Sequence, residues 1–292
     1  MKILLAGANS YIGSQLLPQL LEKGHEVVCL MRSRQKIKNP DINGRVTEIT
    51  IDLLREDYLS LPPDIEAAYL LVNTMPSISS DLIKTEALTI GNLVKAVKGT
   101  ACRQVIYLTG IVSGQQPVFL PQLYIEQMMR ESGIPYTILR ASMIIGNGSA
   151  YFEILQQLTK RSPFILSSNW INARYQPIAV DDVILYLQHV LQNREAMNRI
   201  FEIGGPEVLS YKKMIKIYAE MIKLKRYFLT FPFNTPPAVA SYWLKTLSSV
   251  PYETARALIE RMRFDMTCSN KDIESIAGHQ CLNYTDSLQR AS

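Results

Sequence analysis

Gly7-Ala8-Asn9-Ser10-Tyr11-Ile12-Gly13 has the residue types and spacing of an anion cradle. Backbone N–H groups at the start of a helix face outward after such a turn, and the helix dipole favours a negative charge there. Gly7 allows the tight turn, and Gly13 lets the helix approach the preceding strand closely. Ser10 stands where a third glycine is usual. Its side chain must either point away or give its hydroxyl to a phosphate. The expected guest is the pyrophosphate of a dinucleotide, resting on Gly7, Asn9, Ser10, Tyr11, Ile12 and Gly13.

Other residues with chemical potential follow in order. Met31 occupies the place where an acid usually grips the ribose hydroxyls, and Arg32 comes next. A guanidinium there suits a 2′-phosphate, which favours NADP(H) over NAD(H). Asp52 closes an apolar run and can serve the adenine or cap a turn. Asn73 and Thr109 each follow an apolar run, at the end of a strand where open α/β sheets bind ligands. Tyr124 is a phenol on a helical stretch, with Met128 four residues on. Arg140 ends a further strand and can reach an anion or pair internally with an acid. No metal site is expected, because His25, His189 and His279 are far apart and the four cysteines form no CxxC pair.

The elements that must position these residues alternate. Strands are expected at Lys2–Ala6, His25–Leu30, Val46–Ile51, Ala67–Val72, Val105–Thr109 and Tyr136–Arg140. Helices run between them, including Ser80–Val97 and Gln122–Ser132. Strand and helix in alternation mean a doubly wound parallel sheet with right-handed crossovers, a Rossmann-type α/β fold. Residues 1–145 form the dinucleotide-binding core. Residues 146–292 form a smaller carboxyl-terminal lobe and helical tail, interleaved with it. There Ile144–Ser149 and Trp170–Pro177 read as loops, and Asp181 and Ser210 as helix caps. Two further helices are expected over Ala238–Leu247 and Tyr252–Met262.

Hydrophobic residues make up 47% of the 292, enough for a sizeable core, and the net charge of +5 is mild and scattered. Nucleic acid is not expected as a partner. No apolar stretch is long enough to span a membrane, and the amino terminus lacks the pattern of a cleaved signal. A reducing cytoplasm is the expected compartment, with the chain a monomer or homodimer. Lys212, Lys213, Lys216, Lys223, Lys225 and Arg226 precede Phe228, Phe231 and Phe233. They read as a solvated helix face, with peripheral contact to anionic lipid as the alternative.

GANSYIG, Asp52-Leu53-Leu54, Tyr107-Leu108-Thr109, SGIPYTILRASMIIGNGSA and QPIAVDDV resemble the atypical and extended short-chain dehydrogenase/reductases. The NmrA-like and nucleoside-diphosphate-sugar epimerase-like branches are the nearest in flavour. That resemblance implies a nicotinamide coenzyme touched also by Arg32, Asp52, Leu53, Val72, Asn73, Thr109 and Arg140. It implies a cleft bordered by Asn147, Tyr151, Trp170 and Gln176 for an unnamed small substrate. Catalytic members use a tyrosine as acid/base and a lysine four residues later to lower its pKa from near 10. Tyr-x-x-x-Lys occurs nowhere in this chain; Val118 holds the tyrosine place and Gln122 the lysine place. Thr109, Asn73 and Tyr124 are the remaining candidates for proton work. The family then implies a redox sensor or accessory protein, or a reductase or epimerase with unorthodox proton donors.

Overall fold

The computed structural model describes residues 1–31, 45–51, 60–71, 80–167, 169–230, 258–270 and 272–291. Its elements in chain order are β1 (Lys2–Ala6), α1 (Tyr11–Glu22), β2 (Glu26–Met31), β3 (Val46–Thr50), β4 (Ile65–Leu70), α2 (Ser80–Lys98), β5 (Val105–Gly110), α3 (Leu120–Glu131), β6 (Tyr136–Ala141) and β7 (Ile144–Ile145). Then come α4 (Ala150–Arg161), β8 (Phe164–Ser167), β9 (Arg174–Tyr175), β10 (Ile178–Ala179), α5 (Val180–Val190), β11 (Arg199–Ile203), β12 (Leu209–Ser210), α6 (Tyr211–Met221) and β13 (Tyr227–Thr230). The chain closes with α7 (Asp272–Ala277) and α8 (Tyr284–Arg290).

Seven strands form one sheet in the order β11-β6-β5-β4-β1-β2-β3. Every neighbouring pair is parallel. The chain order reverses between β1 and β4, so a crevice opens at their carboxyl ends, where ligands bind in doubly wound sheets. The central strands are buried on both faces, their side chains alternating between the two, while the edge strand β3 stays largely exposed. Ile3 and Leu5 face α1 and α5 with Leu16, Leu17, Val183 and Leu187. Leu4 and Ala6 face α2 and α3 with Leu93, Val94, Ile125 and Met129. Each fully buried leucine of this kind contributes about 1.5–3 kcal/mol. That offsets the cost of Pro18 inside α1, which removes a helix bond to the Ser14 carbonyl. Tyr69 Oη, in the middle of β4, donates to the Leu187 carbonyl of α5 at 2.8 Å and satisfies its one buried polar atom.

A third apolar cluster lies on the carboxyl-terminal side, built from Phe152, Trp170, Tyr175, Tyr211, Tyr218, Leu258 and Leu288 among others. β11 from the second half of the chain completes the main sheet beside β6.

Three local expectations need correction. Ile144–Ser149 contains β7, which pairs in parallel with β10. Trp170–Pro177 contains a 3-10 turn at Asn169–Asn172 and β9, which pairs with β12. Both pairings join segments far apart in sequence, so local patterning could not show them. Asp181 is not the cap of α5: the cap is Ala179, and Asp181 in the first turn instead meets Arg290 at 3.1 Å. The last helix of the sequence reading is described only from residue 258 onward. Ser210 does cap α6, accepting from the Lys213 amide at 3.2 Å.

Candidate functional site

The crevice at the β1–β4 switch point is a cavity of about 390 Å3. Ser10, Tyr11 and Ile12 form its floor, at the amino end of α1. Ser10 Oγ is engaged as an acceptor, and its hydroxyl hydrogen remains available to donate. It caps the helix, accepting from Gly13 N at 3.1 Å, while the Ser10 amide closes the turn onto Gly7 O at 2.9 Å. The Tyr11 and Ile12 amides at the first helical positions remain for an anion. Gly7 takes φ 88°. A Cβ on Gly13 would lie 2.1 Å from the Gly7 carbonyl oxygen, so the turn closes only around a bare Cα.

Tyr11 decides a second feature. Its ring lies across the loop after β7. A Cβ on Gly146 would meet Tyr11 Oη at 2.1 Å, and one on Gly148 would meet Cδ2 at 2.5 Å. The two glycines of GNG therefore receive the tyrosine of the first turn and join that turn to the loop after β7. Burial raises the Tyr11 pKa, keeping it a neutral phenol.

The opposite wall comes from β5 and α3. Thr109 and Gly110 end β5, and Gln122 enters from the first turn of α3. Gln122 Nε2 donates to Thr109 Oγ1 at 2.7 Å, and its Oε1 is buried without a hydrogen-bond partner. Ser142, Tyr151, Leu258 and Arg261 complete the outer rim. Tyr151 also has its pKa raised by burial, with the nearby Arg261 charge pulling the other way.

The remaining sequence candidates separate. Arg32, Asp52, Leu53, Val72 and Asn73 lie outside the described residues. Tyr124 is 55% exposed on α3 and does not line the cavity. Arg140 is held between acids: Nε and Nη2 make a bidentate contact to Glu126 at 2.8 and 2.6 Å, and Nη1 lies 3.6 Å from Glu202. Burial by itself would lower its pKa, and the two carboxylates more than reverse that. Its internal pairing, not an anion, accounts for its place in the fold. Asn147 borders a separate cavity of about 260 Å3 with Tyr11, Gln15, Asp181 and Arg290. Trp170 is buried, its ring 5.6 Å from that of Tyr211. Gln176 is also buried, donating to Gly205 O at 3.2 Å and accepting from Cys268 N. Trp170 and Gln176 thus hold the lobe together, and of the four expected cleft residues Tyr151 lines the main cavity.

Sequence reasoning missed Arg261 altogether. It sits in a helical segment whose approach to β5 is a tertiary fact. The signal for Gln122 was present, as its place relative to the family's lysine.

The fold also gathers Asp182, His279 and Cys281, whose donor atoms lie within 4.8 Å of one another. Asp182 accepts from His279 Nε2 at 2.7 Å and from the Leu282 amide at 3.0 Å, and Cys281 Sγ lies 3.1 Å from Tyr186 Oη. These bonds fasten the segment between α7 and α8 to α5. On the basic face, the Lys212 and Lys216 ammoniums lie 5.3 and 5.8 Å from the Phe228 ring centre. Phe231 and Phe233 lie outside the described residues. No described helix is long and apolar enough to cross a membrane.

Cys29 in β2 and Cys102 just before β5 are packing groups. Burial pushes the Cys29 thiol up to about 12 and Cys102 to about 11. At pH 8 Cys29 therefore stays a protonated, buried thiol, so iodoacetamide should label it only after unfolding. Because both thiols must stay protonated in the fold, stability should decline as pH rises above the ordinary thiol value of about 8.5. Rapid labelling of Cys29 in the folded protein, read by peptide mass, would contradict its buried placement.

Comparison with known proteins agrees with this geometry. A family model described as NAD(P)H-binding matches residues 7–164, more than half of the chain. The photosystem II assembly factor Ycf39 of Trieres chinensis is 25% identical over 213 residues, covering 70% of this chain and 64% of that protein. The mitochondrial NADH dehydrogenase (ubiquinone) 1 alpha subcomplex subunit 9 of Arabidopsis thaliana is 22% identical over 263 residues, covering 84% of this chain and 64% of that protein. The chain thus spans somewhat less than two thirds of the length of these relatives. The structure of UDP-glucuronic acid 4-epimerase from Bacillus cereus, in complex with UDP-glucuronic acid and NAD, superposes with a TM-score of 0.75 at 18% identity. The match covers 100% of this chain and 98% of that one, a likeness of fold. The protein belongs to the NAD(P)H-binding family, and its fold is that of the nucleotide-sugar epimerase it superposes on.

Proposed function

We propose that the protein binds NADP(H) and acts as a redox sensor or accessory protein, without the orthodox tyrosine–lysine proton route. One contact carries the reading: the Gln122 amide bonded to Thr109 at 2.7 Å where an ammonium would otherwise stand. An amide has no charge with which to bring a phenol's pKa toward neutrality. Val118, at the tyrosine place, has no ionisable group. The relatives whose names denote an assembly factor and a respiratory subcomplex subunit fit a binding role.

The cradle suits the coenzyme on its own chemistry. The amino end of α1 offers amides, and no carboxylate is among the described residues lining the cavity. In this reading Gly7, Asn9, Ser10, Tyr11, Ile12 and Gly13 hold the pyrophosphate. Asp52 and Leu53 flank the adenine, Val72, Asn73 and Thr109 flank the nicotinamide ribose, and Arg32 takes the 2′-phosphate. When bound, the coenzyme supplies hydride chemistry and the protein supplies position and field. Arg32→Ala should weaken NADP(H) about tenfold, the worth of one charge-assisted contact, and leave NAD(H) unchanged. Equal NADP(H) affinity in wild type and variant, by fluorescence titration, would refute the 2′-phosphate assignment.

A second reading, an unorthodox reductase, draws on Tyr151, a phenol facing the same cavity as Thr109. NADPH incubated with quinones, aldehydes and sugar nucleotides separates the two. Tight binding with no turnover above background is the expected result. Turnover lost in both Tyr151→Phe and Thr109→Val would establish the reductase.

A further inference from the structure

Arg261 is 9% exposed, yet among the described residues no acid pairs with it. Its Nε is buried without a hydrogen-bond partner. Nη2 makes one long contact, 3.3 Å, to the Val118 carbonyl, and the guanidinium carbon lies 5.7 Å from the Phe119 ring centre. Val118 is the position that corresponds to the family's tyrosine. A cation from the carboxyl-terminal segment therefore lies against the backbone at that position. It is the sole charged side chain among the described residues lining the cavity, and Gln122 Oε1 nearby also lacks a partner.

A buried guanidinium without a counter-ion is costly, and a bound anion relieves that cost. The surroundings select the kind of anion. Leu71, Leu108, Ile144, Leu258 and Met266 make most of the wall apolar. One guanidinium with a free Nε–H edge matches one planar carboxylate. Burial keeps the Tyr151 phenol protonated, so it can serve as a further donor.

We propose that the cavity binds an apolar monocarboxylate beside the nicotinamide, with Arg261 as the anchor of its carboxylate. The proposal rests on the dinucleotide reading above and names the ligand class of that same site. A sensor would then respond to the coenzyme and an organic acid together.

The test is calorimetry on the full chain saturated with NADPH and, in parallel, on the coenzyme-free protein. The probes are octanoate and cinnamate, each paired with its neutral amide. At least one carboxylate should bind tenfold or more tighter than its amide, a difference of about 1.4 kcal/mol. Arg261→Met should erase the preference and Arg261→Lys should keep part of it. Thermal melts followed by circular dichroism report that both variants fold. Carboxylates that bind no tighter than their amides in wild type overturn the proposal, as does a preference that survives Arg261→Met. Failure of NADPH to bind wild type removes the underlying dinucleotide reading instead. The coenzyme-free titration still decides the anchor.

Discussion

Gly13→Ala should abolish the coenzyme site and destabilise the protein by about 1–3 kcal/mol, the range for forcing an extra carbon into a packed region. The added Cβ would lie 2.1 Å from Gly7 O and 2.9 Å from Gly7 C. Both are backbone atoms of the turn, so no side chain can rotate out of the way. The turn must open, and that tilts the amides of Tyr11 and Ile12 away from any bound phosphate. NADPH affinity should fall at least tenfold. The melting temperature should drop by a few degrees, since about 1 kcal/mol corresponds to roughly 2–4 °C in a domain of about 150–250 residues and to less in a longer chain. Gly24→Ala is the control. It has a positive φ of 79° but nothing within 4 Å of a new Cβ, so it should cost about 1 kcal/mol of backbone strain and leave NADPH binding alone. If Gly13→Ala binds NADPH as the wild type does, the cradle is not at this turn.

Arg140→Met should be the most destabilising single change among the described polar residues, at about 3–5 kcal/mol. It strands Glu126, whose side chain is 3% exposed and whose two oxygens both receive Arg140 donors. Glu202 suffers less, because it also accepts from the Ser269 amide and hydroxyl at 2.7 Å each. The double variant Arg140→Met with Glu126→Met should recover most of the loss, as a buried ion pair is often no more stabilising than an apolar pair of like volume. Urea melts of wild type, both single variants and the double variant complete the cycle. Equal stability of wild type and Arg140→Met would show that the pair contributes nothing. The effect reaches the site through α3. Glu126 lies one helical turn after Gln122, so the pair fixes the helix that carries Gln122 to Thr109.

Much of the molecule is determined by the sequence alone. Apolar runs such as Ile3–Ala6 and the turn Gly7–Gly13 impose strand, turn and helix, because periodicity and glycine spacing act locally. The alternation of such units dictates a parallel sheet, and the missing Tyr-x-x-x-Lys is legible from spacing. Tertiary structure decided what depends on contacts between distant segments. It turned Ser10 Oγ inward as a cap, gave Arg140 to Glu126 and Glu202, and laid Tyr11 across Gly146 and Gly148. It brought Asp182 to His279 across 97 residues and set Arg261 beside Val118 across 143. A side chain's charge and shape are written in the sequence. Its partner is chosen by packing, which brings together residues that no local pattern relates.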